Sequence, residues 1–346
     1  MILEPINLST GPVSISPEVK KAFCGPPVSH RSTAFRNLFD KMCDQICSMF
    51  SVSRVFVMSG SGTLANETML HQVKMTGAKG LILSNGEFGS RLINQANRIE
   101  LNYQVYDAGW GGSFDIEKLR QYFSTGGIKW VLFCHCETST GVVNDLDAIS
   151  RLCAEYQCQC FVDCISSVGN LPLNLSNVSM ATASSGKGLA SYAGLALVMS
   201  NIEPVSNEHI PIYFDIAHYA TKSYIPFTIS SNLVSALYTS IVQKTAEFLP
   251  EIIQKYSGQY FETLQAYNLV PFGNAGSRVF SIVLPDEKNK KFIDEMQNRN
   301  ILLSYESEYL KKRNWSQLAV FGYYHENQLQ QAHAGLEQSL KKVFAG

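Results

Sequence analysis

Residues 54–73, RVFVMSGSGTLANETMLHQV, contain in order an apolar run, a turn of small residues and a helical pattern. The run Arg54–Met58 is short and bounded by turn residues, which is typical of a strand buried on both faces. At the turn, Ser59–Thr63, small side chains let backbone N–H groups approach a phosphate, and the N-terminus of the following helix favours an anion. An ordinary tight turn is an equally good interpretation of this stretch alone. It has neither the lysine of a P-loop nor the third glycine of GxGxxG.

The same alternation of strands and helices continues on both sides of this unit. Helical spacing over residues 35–50 and 146–156 separates further strand-like runs, which are Gly80–Ser84, Trp130–Cys134, Gln159–Asp163 and Leu195–Ser200. Strands that alternate with helices predict an α/β fold with a mainly parallel sheet covered by helices.

The pattern changes near residue 232. One or two long helices are predicted over 233–267, followed by a strand at 279–284 and helices at 290–299 and 328–343. We therefore expect a large domain with an N-terminal arm over residues 1–240 and a smaller C-terminal α+β domain over residues 241–346.

Composition narrows the class of partner. The formal net charge of the 346 residues is -1 and no long basic run occurs, so neither nucleic acid nor an anionic membrane is expected as a partner. The N-terminus has no basic segment followed by a long apolar run, and no stretch is long and apolar enough to span a bilayer. The nine cysteines lack the spacing of a metal site. We expect a cytoplasmic protein with reduced thiols and no bound metal.

Two polar residues stand where an open α/β sheet places its ligands. Asp163 ends a buried strand, and Lys187 lies 24 residues later in a loop of small residues. Taken singly, each has a plain alternative, a capping Asp and a surface-loop Lys. Together with the turn at Ser59–Thr63 they supply an anion cradle, a carboxylate and an amine. These are the parts that bind pyridoxal 5'-phosphate (PLP), with Lys187 as the Schiff-base lysine.

Five segments then resemble, in order, the motifs of the class V aminotransferases of PLP fold type I. Within that family the likeness is greatest to the alanine–glyoxylate and 2-aminoethylphosphonate–pyruvate transaminases. The segments are LSTGPV at 8–13 (family TPGP), SGSGTLANE at 59–67 (GSGT/H), NGEFGSR at 85–91 (NGxWG or NGxYG), HCETSTGV at 135–142 (HGESSTGV) and DCISSVG at 163–169 (DSVASLG). The resemblance covers most of the chain and is strongest from Leu8 to Ser200.

The resemblance implies a role for each matching residue. Asp163 would pair with the protonated ring nitrogen, and Lys187 would hold the cofactor and carry the proton. The remaining implied contacts are Ser61, Gly62 and Thr63 to the phosphate, Phe88 and Ile165 on the two ring faces, Thr138 near the ring hydroxyl and Gly11 at the substrate. The family is homodimeric with shared sites, and PFTIS at 226–230 resembles the segment that reaches the neighbour's phosphate, with Thr228 as the contact.

Three positions depart from the family pattern. Gly186 replaces a polar residue before the lysine, and Phe88 replaces the commoner Trp or Tyr. Gln317 stands where an arginine grips the substrate carboxylate with two hydrogen bonds. Either Arg278 or Arg313 takes over that contact, or the donor lacks an α-carboxylate; a local alignment shift would also put Arg313 in the family position. The plain alternative for both arginines is a solvated surface charge.

The resemblance therefore predicts a PLP-dependent transaminase. It would move an amino group between a small amino acid or aminophosphonate-like donor and a keto acid acceptor. The alternatives are β-elimination, desulfuration or racemisation on the same fold, or a non-catalytic PLP-binding protein. A desulfurase would need a cysteine near the C-terminus, and all nine lie at or before Cys164. The retained Lys187 and Asp163 argue against a non-catalytic role.

Overall fold

The computed structural model describes residues 4–247 and 250–345. Its strands are β1 (Ile6–Asn7), β2 (Arg54–Gly60), β3 (Gly80–Ser84), β4 (Tyr103–Asp107), β5 (Trp130–Cys134), β6 (Cys136–Glu137), β7 (Val142–Val143), β8 (Gln159–Asp163), β9 (Met180–Ser184), β10 (Gly194–Ser200), β11 (Val279–Ile282), β12 (Ile301–Leu302) and β13 (Ser316–Ala319).

A seven-stranded sheet forms the centre of the large domain, in the order β2-β10-β9-β8-β5-β3-β4. The pairs from β9 to β4 are parallel, whereas β10 runs antiparallel to both of its neighbours. The predicted mainly parallel sheet is confirmed, and the five predicted strands are present. Parallel strands end at a common edge, so the segments that follow β2, β3, β5, β8 and β9 meet there.

Helices cover the sheet and build the smaller unit. They are α1 (Pro17–Phe23), α2 (Thr33–Phe50), α3 (Gly62–Met75), α4 (Glu87–Arg98), α5 (Ile116–Gly126), α6 (Leu146–Glu155), α7 (Ile216–Thr221), α8 (Ser231–Glu247), α9 (Pro250–Gln265), α10 (Asp286–Asn298), α11 (Glu308–Arg313) and α12 (Glu326–Phe344).

A second apolar core lies among α9, α10, α12 and the β11–β13 pair, which confirms the smaller C-terminal α+β unit. The N-terminal strand β1 pairs with β12 of this unit, so the arm joins the two parts of the chain. Ile241 on α8 belongs to the core of the large unit, and Ile253 on α9 belongs to the second core. The domain boundary at 240–241 stays a prediction; it falls within α8.

The described residues contain no helix that is both long enough and apolar enough to cross a membrane. Nor do they contain a group of three or more His, Cys, Asp and Glu side chains placed to hold a metal ion.

Candidate active site

A cavity of about 290 Å³ lies at the carboxyl ends of the parallel strands. The sequence-predicted residues that line it are Gly11, Ser61, Gly62, Thr63, Phe88, Thr138, Asp163, Ile165 and Lys187. These residues come from six separate parts of the sequence, and the fold brings them to one place.

The N-terminus of α3 forms one end of the cavity. Ser61 is the N-cap residue, and its side chain makes no capping hydrogen bond. The first N–H groups of a helix have no intrahelical partner and attract an anion. A Cβ on Gly62 would lie 2.6 Å from Ile165 Cδ1, so a larger residue at this position would require the Ile165 side chain to move. The geometry suits a phosphate group.

Asp163 is held in place by neighbouring donors. Its Oδ1 accepts a hydrogen bond from the Ile165 N–H at 2.9 Å, and its Oδ2 accepts one from Asn66 Nδ2 at 2.7 Å. Asn66 in turn accepts a bond from Thr182 Oγ1 at 2.6 Å, which fixes the amide orientation. Burial raises the pKa of Asp163, while these hydrogen bonds and the charge of Lys187 oppose the rise.

Lys187 faces the cavity from the loop after β9. Gly11 packs against its stem, since a Cβ there would lie 3.2 Å from Lys187 Cδ and Cε. A Cβ on Gly186 would lie 2.9 Å from the Cα of Ala193, so the polar residue usual at this position in the family has no room here. A side chain at position 186 would therefore require the backbone at Ala193 to move.

Burial lowers the pKa of the Lys187 amine from its ordinary 10.5 to about 8. Only the neutral amine attacks an aldehyde, so in cofactor-free protein the rate of PLP attachment should rise about tenfold per pH unit below 8 and level off above it. Stopped-flow absorbance between pH 6.5 and 10 measures this rate. A rate that keeps rising tenfold per unit up to pH 10 would show an ordinary lysine instead.

Glu137 fixes the position of Phe88. This fully buried carboxylate accepts hydrogen bonds from the backbone N–H groups of Phe88, at 3.1 Å, and Gly89, at 2.9 Å. It also accepts one from Ser139 Oγ at 2.5 Å. The carboxylate thereby binds the N-terminus of α4 to the turn that carries Thr138, whose hydroxyl donates to Ser166 Oγ at 2.5 Å.

Four residues discussed in the sequence analysis lie outside the cavity lining. Thr228 is exposed on the chain surface. Arg278 is buried and donates to the backbone carbonyl of Asn170. Arg313 is exposed, with its guanidinium carbon 3.6 Å from the centre of the Trp110 ring. Gln317 is fully buried between the two domains. The substrate-binding roles of Arg278 and Arg313 stay predictions, and their positions give them no support.

The lining also includes Asn66, Arg91, Cys134 and Cys136, to which the sequence analysis assigned no role. Asn66 and Arg91 fall within the quoted motifs at 59–67 and 85–91, so their positions in those motifs were the available signal. The sequence could not show which side of α3 and which side of α4 line the cavity.

Comparison with known proteins agrees with this geometry. The family model "Aminotransferase class-V" matches residues 22–207, more than half of the chain. The chain belongs to the class-V aminotransferase family. It is therefore a PLP-dependent transaminase, as the sequence predicted.

Two relatives and one solved structure illustrate the relationship. The soluble hydrogenase 42 kDa subunit of Anabaena cylindrica is 28% identical over 84% of this chain and 81% of its own length. The L-aspartate–glyoxylate aminotransferase of Paracoccus denitrificans is 28% identical over 71% of this chain and 66% of its own length. The alanine–glyoxylate aminotransferase of Nostoc sp. superposes with a TM-score of 0.86 at 23% identity, covering 98% of this chain and 96% of that one. This superposition confirms the predicted PLP fold type I.

The residues present in this aminotransferase fit PLP. An uncapped helix N-terminus, a buried carboxylate and a lysine amine of lowered pKa line one cavity, with Phe88 and Ile165 as apolar walls. Each matches one chemical feature of the cofactor, namely its phosphate, its ring nitrogen, its aldehyde and its ring faces.

Proposed function

We propose that this transaminase moves an amino group from a small amino acid or aminophosphonate-like donor to a small keto acid, at the cavity around Lys187 and Asp163. The observation that carries the proposal is the meeting of Lys187, the Asp163–Asn66 pair and the N-terminus of α3 in one space of about 290 Å³. The name of the Paracoccus relative, an L-aspartate–glyoxylate enzyme, is consistent with a small keto acid acceptor.

In this proposal Ser61, Gly62 and Thr63 bind the phosphate, Phe88 and Ile165 hold the ring, and Thr138 lies near the ring hydroxyl. When bound, PLP supplies an aldehyde for the donor amine and an electron-poor ring that stabilises negative charge. Asp163 keeps a proton on the ring nitrogen. Asn66 and the Ile165 N–H position that carboxylate.

The Nζ atom of Lys187 both holds the cofactor and carries the proton that moves during transfer. A lysine of ordinary pKa would be almost entirely protonated at neutral pH and a poor base. Burial brings the pKa of Lys187 to about 8, close to the working pH, which is where a general acid–base group is most effective.

The test is a half-reaction with the PLP-loaded protein and no acceptor. Mixing it with a set of donors that includes L-alanine, L-aspartate and 2-aminoethylphosphonate should remove the visible Schiff-base absorbance and release one carbonyl product per site, a keto acid from the amino acids and an aldehyde from the aminophosphonate. Adding glyoxylate or pyruvate should restore the absorbance. Release of ammonia, or inversion of an amino acid donor without a carbonyl product, would instead indicate elimination or racemisation and contradict the proposal.

We also propose a homodimer with shared sites. Thr228 lies on the surface and outside the cavity of its own chain, as a residue that serves the neighbouring site would. The cytoplasmic location stays a prediction from the sequence.

Variants that complement each other test the shared site. Thr228→Ala should weaken PLP binding roughly 10-fold, because a phosphate loses a hydrogen bond. Mixing it with Lys187→Ala by unfolding and refolding should give Schiff-base absorbance of wild-type PLP affinity in roughly a quarter of the sites, since each mixed dimer contains one intact site. Light scattering gives the oligomeric state. A fully active monomer, or a mixture without restored sites, would refute the shared-site dimer.

A further inference from the structure

Gln317 is the residue that the sequence resemblance places at the position of the carboxylate-binding arginine, and all of its side-chain polar atoms have partners within the protein. Its Nε2 donates to the Thr138 carbonyl and to Ser281 Oγ, each at 2.7 Å. Its Oε1 accepts from the Tyr309 hydroxyl at 2.6 Å. The residue is neutral and fully buried. Because both N–H groups of its amide are already used in these hydrogen bonds, it has no donor left for a substrate acid.

Among the described residues that line the cavity, Lys187 and Arg91 carry the positive charges. Lys187 is committed to the cofactor aldehyde, so Arg91 is the cation left for an anion. It lies one turn after Phe88 on α4, at the rim of the cavity, with 44% of its side chain exposed. A substrate entering from solvent can reach it.

The donors of Arg91 are available. Its contact with a carboxylate is a 3.9 Å approach to Glu87 Oε1, where both side chains are about a third or more exposed. A surface pair at that distance contributes little. Its guanidinium carbon lies 4.7 Å from the centre of the Phe88 ring. A guanidinium that packs against an aromatic face still donates hydrogen bonds in its own plane, so this contact orients the group without using its N–H atoms.

We propose that Arg91 binds the acid group of the substrate and replaces the arginine missing at position 317. The ligand is a carboxylate or phosphonate, since both accept two parallel hydrogen bonds from a guanidinium. The inference rests on the proposed function, because it takes the cavity around Lys187 as the substrate site.

The electrostatics of the cavity agree with this placement. Burial raises the pKa of Asp163 and lowers the pKa of Lys187, and the charge of Arg91 opposes the first shift and adds to the second. Arg91 lines the same cavity as both groups, so an acid bound to it would share that cavity with the reacting amine.

The test measures the binding of acids that have no amine and cannot react. Calorimetry of the PLP-loaded protein with propionate and with methylphosphonate gives a dissociation constant for each acid. Arg91→Gln should weaken the better-bound acid roughly 10- to 100-fold, and Arg91→Lys should recover part of the loss. The matched control is Arg98→Gln, which removes the same charge from an exposed position of the same helix and should change nothing.

The two acids distinguish the substrate classes. Tighter binding of propionate indicates an α-carboxylate donor, and tighter binding of methylphosphonate indicates an aminophosphonate. Affinity for PLP, measured by reconstitution, should be the same in wild type and Arg91→Gln.

Three results would overturn the inference: no acid binding by wild type, unchanged acid binding in Arg91→Gln, or a loss of PLP affinity as large as the loss of acid affinity. The last would assign Arg91 to the cofactor phosphate. Failure of the proposed function would be recognised separately, as a borohydride-reduced adduct on a lysine other than Lys187.

Discussion

Lys187→Ala is expected to remove the visible Schiff-base absorbance completely and to lower transamination by at least about 10⁴-fold. The amine is both the covalent attachment of the cofactor and the proton carrier, so one substitution removes both functions. In wild type, borohydride should fix PLP on Lys187, and peptide mass spectrometry should locate the adduct there.

Lys244 provides the matched control for this experiment. Burial also lowers the pKa of its amine to about 8, yet it donates to the Gly169 carbonyl and lies outside the active-site cavity. If a lowered pKa alone selected the lysine, both residues would be modified. We expect the adduct on Lys187 and none on Lys244. A reduced adduct on Lys244, or absorbance that survives in Lys187→Ala, would contradict the assignment.

The strands predicted from sequence were those whose residues are large and apolar. β3, β5 and β8 have the predicted limits because each is an apolar run ended by turn residues. Two strands of the sheet were not predicted. β9, MATAS, is almost fully buried but has small side chains, and β4, YQVYD, is a half-exposed edge strand with polar residues. Their place in the sheet depends on tertiary pairing rather than on local pattern.

The sequence predicted those residues of the candidate site that belong to a recognisable motif and whose chemistry indicates a role. Lys187, Asp163 and the turn at Ser61–Thr63 follow from chemistry and spacing, and the fold brings them together. Arg91 could not be singled out, because an arginine on an amphipathic helix is most simply a solvated charge. Arg278 and Arg313 were named because they are near position 317 in sequence or precede a strand. The structure instead engages them with a backbone carbonyl and with an aromatic ring.

The interpretation of Gln317 also needed the structure. From the sequence alone, glutamine at this position indicated only that the positive charge of an arginine was lost. The hydrogen bonds to Thr138, Ser281 and Tyr309 show that the side chain connects the small domain to the turn that carries Thr138. A substrate acid that used this side chain would have to break three buried hydrogen bonds, which favours the proposed acid-binding role of Arg91.

Asp163→Asn should keep the fold and the Lys187 adduct but lower transamination by about 10²- to 10⁴-fold. The amide retains the shape of the carboxylate, and its oxygen can still accept a hydrogen bond from the Ile165 N–H or from Asn66. It carries no negative charge, however, and so cannot keep a proton on the pyridine nitrogen. The ring withdraws electrons strongly only while that nitrogen is protonated. Single-turnover rates with the best donor measure the loss, and the retained absorbance shows that the cofactor is bound.

The control for Asp163→Asn is Asp145→Asn, the same chemical change at the N-cap of α6, where Oδ1 accepts from the Ala148 N–H at 2.9 Å. It should cost about 0.5–1 kcal/mol of stability at most and leave turnover unchanged, because its oxygen still caps the helix. Near wild-type turnover in Asp163→Asn would mean that the carboxylate does not control the ring nitrogen. A loss of the same size in both variants would mean that the effect arises from folding rather than from the charge at position 163.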